Sequence, residues 1–216
     1  NEENAKTFQD LTLYMGVSNE AAAELFKLSA STGGSFSNMY DNVRDVTQAM
    51  NETSNYSMST QDAIEAIAQS SSAVRFNIGG GVDGLVKAAH TAARLGMSMN
   101  EIAAAAETHL DFESSISKEI EAEMYLQKDL NLDKLRMAAL TGDADMAARE
   151  QERIIKENAH LIKKNVPAQK ALAATLGISH EQLLNSLETK KKLAGLDGQQ
   201  IKDAQASAEA TKTAGQ

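Results

Sequence analysis

The stretch FNIGGGVDGLVKAA, residues 76–89, spaces its glycines as a dinucleotide-binding loop does: Gly79, Gly81 and Gly84 satisfy GxGxxG, and a helical run follows. That chemistry needs a strand before the loop and a βαβ unit around it, so that backbone amides meet a pyrophosphate at a helix N-terminus. Ala73 to Ile78 is the candidate strand, and no partner strands follow downstream. Leu85 and Val86 stand where a P-loop requires Lys and Ser or Thr. The stretch reads better as a tightly turned connector between helices.

The carboxylates offer a second chemistry. Glu113, Glu119, Glu121 and Glu123 fall on one helical segment, with Glu119 and Glu123 one turn apart. Helical bundles hold metals with such pairs, but add a Glu-x-x-His, and His109 does not stand three residues after a glutamate. Glycoside hydrolysis wants two carboxylates across a cleft, usually with aromatic platforms, and the chain has no tryptophan. A solvated helix face, with Lys118 and Lys128 as offsetting charges, is the plainer reading. The histidines, His90, His109, His160 and His180, form no HExxH, and there is no cysteine nucleophile and no GxSxG elbow. The nine methionines are scattered, which suits adaptable packing. We therefore expect no catalytic residue, no metal and no cofactor.

The elements that would position these groups are marked by a recurring phrase. LGMSMNEI at 95–102 returns as LGISHEQL at 176–183 and, more weakly, as MGVSNEAA at 15–22. Gly96 suits the left-handed end of a helix, Ser98 suits an N-cap, and Glu101 three residues on completes a capping box. Gly177, Ser179 and Gln182 repeat it, and Gly16 and Ser18 give a version in which Glu20 sits one place early. Ser57, Ser59 and Asp62 give one without the glycine, and Gly195, Asp197 and Gln200 a late one. Gly142 before Asp143 falls between. Corners near 16, 57, 96 and 177 lie about 40 residues or twice that apart, the signature of a decayed helical array.

Between the corners the pattern predicts helices over 4–15, 19–31, 36–52, 60–75, 83–95, 99–127 (with a break near Asp111), 132–140, 144–164, 167–176, 180–193 and 198–212. No run alternates like a strand for more than five residues. The expected fold is all-α: an array of helical hairpins joined by Gly/Ser-capped corners and open to oligomeric packing. Residues 1–78 are expected to form N-terminal hairpins, 79–202 a second helical region and 203–216 a frayed tail.

Composition supports this. One proline, Pro167, lets helices run; about a sixth of the residues are alanine and 4% are aromatic, so the core is thin for the length. A net charge of −9 and a single basic run, Lys190 to Lys192, argue against direct nucleic-acid binding. No stretch approaches a membrane span. The absence of cysteine fits a reducing cytoplasm, and the opening on Asn1 reads as an excerpt of a longer chain.

From 95 to 193 the chain resembles a segment of very large bacteriophage tail proteins, of the tape-measure or large virion structural kind. The resemblance rests on the LGMS corner, on Leu110 to Ser114, on the acidic helix Glu119 to Glu123, on Asn131 to Asp133 with Ala138 to Asp143, and on Asn165, Val166 and Gln169 to Ala173 leading into the LGIS corner. It implies a non-catalytic component assembled in the host cytoplasm and housed in the virion tail. Its implied partners are tail tube and hub or baseplate proteins and further copies of itself. A length-measuring rod should be uninterrupted helix, whereas this segment is divided by corners, so a folded docking portion is expected. The alternatives are a helical scaffold or adaptor of a cellular protein, and a muralytic tail-associated domain acting through Glu113 or Glu119.

Overall fold

Alanine, leucine, glutamate and lysine lose little rotamer freedom in a helix, and they fill the runs between the Gly and Ser breaks. The computed structural model describes residues 2–195, with side chains as far as Lys192, and is all-α, with no strand among the described residues. The helices are α1 (Glu2–Gln9), α2 (Asn19–Thr32), α3 (Phe36–Thr53), α4 (Thr60–Gln69), α5 (Ser72–Asn77), α6 (Gly81–Arg94), α7 (Met99–Glu107), α8 (Phe112–Leu126), α9 (Asp133–Thr141), α10 (Ala144–Ile162), α11 (Val166–Leu176) and α12 (His180–Gly195). The helix expected at 198–212, the frayed tail at 203–216 and the corner at Asp197 and Gln200 lie outside the described residues.

Residues 2–70, 80–90 and 192–195 belong to one compact unit, and 71–79 with 91–191 to a second, so the division falls inside α6. In the first unit α2 packs chiefly against α4, and α3 lies against both. Ala21, Ala22 and Leu25 of α2, Val43 of α3 and Ala63, Ile64 and Ile67 of α4 are buried. Phe36 is buried and meets the Phe26 ring edge to face at 5.4 Å between centroids, a favoured aromatic geometry.

In the second unit α8 packs on α11, and α10 runs against α7, α9 and α11. Its core is Ile102, Leu132, Leu135, Ile154, Ile155, Ile162, Leu172 and Leu176, filled out by alanines of α9, α10 and α11. These alanines are buried among the larger side chains, where even one methylene of added volume would be felt.

Three local expectations need correcting. The helix expected over 60–75 is two helices, because Ser71 leaves the helical conformation and accepts a hydrogen bond from Val74 N as the N-cap of α5. The candidate strand at Ala73 to Ile78 lies almost wholly in α5. The first helix ends in a π-helical turn, Asp10–Tyr14, which buries Leu11 and leaves Leu13 and Tyr14 exposed. The break expected near Asp111, by contrast, is present: a 3₁₀ turn, Thr108–Leu110, after which Asp111 caps α8 through Ser114 N at 3.1 Å.

Candidate functional site

Two of the capped corners are bonded directly to each other. At the α6–α7 corner Gly96 has φ +70°, Ser98 N donates to Glu101 Oε2 at 2.7 Å, and Glu101 N donates back to Ser98 Oγ at 3.2 Å. At the α11–α12 corner Gly177 has φ +71°, Ser179 N donates to Gln182 Oε1 at 2.8 Å, and Gln182 N donates to Ser179 Oγ at 3.0 Å. The remaining atoms of the two boxes then meet: Gln182 Nε2 donates to Glu101 Oε1 at 3.1 Å. The Ser98 amide, and after it the Ser98 hydroxyl and Gln182, hold the Glu101 carboxyl below the usual carboxylate range. Ser186 of α12 also donates to Leu95 O at 2.5 Å, fastening the same two corners.

The first unit repeats the device with different atoms. Ser18 caps α2 through Ala21 N, but the acid that completes the box comes from α4: Ser18 N donates to Glu65 Oε1 at 2.7 Å and Ser18 Oγ to Glu65 Oε2 at 3.1 Å. Gln61 Nε2 donates to Gly16 O at 2.7 Å. Ser59 forms its own box with Asp62. Ser57 does not end a helix; it lies in a loop that Asn51 holds through Met58 N and O, both at 2.9 Å. Gly142 ends α9 at φ +67°, and Asp143 caps α10 through Met146 N at 3.0 Å. Gly195 is the last residue of α12.

The carboxylates of α8 divide. Glu113 and Glu121 are exposed, as a solvated face requires, but Glu119 and Glu123 are half-buried and engaged. Glu119 accepts from Leu132 N at 3.0 Å and pairs with Arg136 at 2.5 Å, and Glu123 accepts from Leu130 N at 2.8 Å. They satisfy the backbone of the turn between α8 and α9, where Gln127 and Asn131 have positive φ. Both therefore act as structural acceptors rather than as solvated charges offset by lysine.

Three of the four histidines are likewise absorbed by the fold. His90 is buried, its Nε2 3.2 Å from Asn51 Oδ1, with Tyr56 edge to face against the ring. His109 Nδ1 lies 3.0 Å from Ser115 Oγ, which also accepts from Arg136 Nε at 3.3 Å. With that acceptor site taken, the Ser115 proton is free to point at Nδ1, which suits a neutral imidazole. Burial, then the charges of Arg136 and Lys118, lower its pKa to about 4. His180 meets Gln169 at 2.9 Å, and His160 is exposed. Glu157 and His160 do form a Glu-x-x-His, a spacing that attention to His109 misses; Glu157 is paired with Arg153 at 2.9 Å. Among the described residues no three His, Asp or Glu side chains gather to hold a metal, and no helix is long and apolar enough to cross a membrane.

One stretch of the surface is apolar. Phe112, Ile116, Ile120 and Met124 recur every fourth residue of α8, and all are exposed, Met124 by 74%. Scattered exposed hydrophobics are ordinary, whereas a run of neighbours along one helix makes a contiguous apolar patch. Two residues before the run, exposed Leu110 borders an open groove of about 420 Å³ that also includes Ala103, Ala104, Ala138, Leu140 and Gly142. Gly142 is in close contact: a Cβ there would collide with the Asn77 side chain.

Compared with protein-family models, with curated proteins and with solved structures, the chain matches none.

Proposed function

We propose that this chain is a non-catalytic, folded helical segment of a phage tail protein of the tape-measure kind. It acts through helix–helix contacts with tail tube, hub or baseplate proteins and with copies of itself, inside the tail or at its tip. The observation that carries the folded, rather than rod-like, part of this reading is the pairwise bonding of the corners. Gln182 with Glu101 and Ser18 with Glu65 tie together α7 with α12 and α2 with α4, of which the longest, α12, has 16 residues, a rise of about 24 Å. The resemblance of residues 95–193 to large tail proteins supports the virion part.

Mass spectrometry and immunogold labelling of purified particles test the location, and an in-frame deletion of residues 57–96 tests the role. Normal-length tails that assemble poorly or fail to infect fit a docking segment. Tails shortened by roughly 60 Å, the rise of the deleted residues as helix, would make it part of a ruler. Absence of the chain from particles, or normal infectious tails after the deletion, would end the tail reading and leave a cellular helical adaptor, which the exposed face of α8 suits equally.

A further inference from the structure

The exposed row on α8 has a chemistry that selects its occupant. Phe112, Ile116, Ile120 and Met124 form a ridge along the i, i+4 line, inclined to the helix axis as packing ridges are. It runs about 18 Å, the rise of twelve residues. Exposed Glu113 and Glu121 each lie three residues before a ridge member, Ile116 and Met124, and so border it directly. Exposed Asp111 and Asp129 lie before and after the helix. Lys118, the one cation of α8, is half-buried, and at two residues from Ile116 and from Ile120 it points to the other side of the helix. Glu119 and Glu123 are held by Arg136 and by backbone amides, so Glu113 and Glu121 remain as the free charges beside the ridge.

We propose that α8 is the docking face for a partner helix of about three turns. That helix carries apolar residues at i, i+4 and i+8, flanked by Lys or Arg that pair with Glu113 and Glu121. A second copy of this chain offering the same face would set Glu113 and Glu121 against their own equivalents, and like charges brought together at an interface are unfavourable. A basic amphipathic helix removes that conflict and buries the ridge. This rests on the non-catalytic reading above and names the chemistry of one partner.

The test is fluorescence anisotropy of the full chain with two labelled helical peptides of about 14 residues. Both carry Leu every fourth residue; one is flanked by Lys and its twin by Glu. The Lys peptide should bind at least about tenfold tighter, and the difference should shrink with salt. Ile120→Glu and Met124→Glu should each weaken it by a similar factor, while Phe76→Glu, at an exposed residue of α5, should change nothing. The pair Glu113→Lys with Glu121→Lys should reverse the preference. All these side chains are at the surface, so unchanged circular dichroism and melting temperature show that the variants remain folded. Equal affinity for the two peptides, or binding indifferent to Ile120→Glu, would overturn the proposal. So would a concentration-dependent dimer in sedimentation that Met124→Glu abolishes, since a second copy would then cover the ridge. None of these readouts depends on virion location, so this proposal and the tail reading fail separately.

Discussion

Gln182 Nε2 donates to Glu101 Oε1 at 3.1 Å, joining two capping boxes that lie 81 residues apart in the chain. Each residue also closes its own box, Glu101 on Ser98 and Gln182 on Ser179. The recurrence of the LGMS and LGIS phrases thus has a physical consequence: two like corners meet and share a carboxylate and an amide.

Glu101→Ala removes a local box and the link between corners at once. A cap is worth about 1 kcal/mol, and we expect urea denaturation to show a loss of about 1–2 kcal/mol. A double-mutant cycle with Gln182→Ala should give a coupling of at least about 0.5 kcal/mol. Strict additivity would mean that the two corners are capped independently. Because the folded-state pKa of Glu101 lies below its unfolded value, its stabilisation is present above the unfolded pKa and is lost as pH falls through the folded one.

Glu65→Ala should act at a distance in sequence. It strips the Ser18 amide of its acceptor, 47 residues away. The expected result is faster hydrogen exchange at Ser18 and a loss of about 1 kcal/mol or more. An unchanged exchange rate at Ser18 would show that the bond contributes nothing in solution.

His109 predicts an acid-side slope. Its pKa is lowered to about 4 from an ordinary 6.5, so the unfolded chain binds the proton first as pH falls. Stability from this group is complete above about pH 6.5 and is lost progressively between 6.5 and 4, by up to about 3 kcal/mol. Urea midpoints at pH 7, 5.5 and 4.5 should fall in that order, and His109→Gln should flatten the part of the slope that this residue supplies. An unaltered slope in the variant would assign it to other groups.

Gly177 and Gly33 separate backbone strain from packing. Both have φ +71°, but a Cβ at Gly33 meets open space, whereas one at Gly177 runs into Ala105 O and Thr108 Oγ1. Gly33→Ala should therefore cost only the left-handed penalty of about 1–2 kcal/mol. Gly177→Ala should cost clearly more, as overpacking adds about 1–3 kcal/mol. Equal thermal shifts would mean that the corner yields without resistance.

The all-α character and the approximate extents of most helices are written locally. Alanine and leucine content, the near absence of proline and the Ser-x-x-acid spacings at Ser59 and Ser98 act within one helical turn, so they can be read without knowing the fold. The break at Ser71 was hidden because apolar spacing continues across it while one serine's cap decides the matter. Which acid serves Ser18, which corners meet, and why Glu119 and Glu123 turn inward while Glu113 and Glu121 stay in water depend on pairings across tens of residues. Seven helices, α2, α4, α6, α7, α9, α10 and α11, carry two or more alanines, so composition does not distinguish one partner from another among them. Local propensity determined that the chain is helical and roughly where most of its helices run. Tertiary packing decided what they bury, and it left the ridge of Phe112, Ile116, Ile120 and Met124 facing out, because Ser115, Ala122 and Leu126 of the same helix took the inward side.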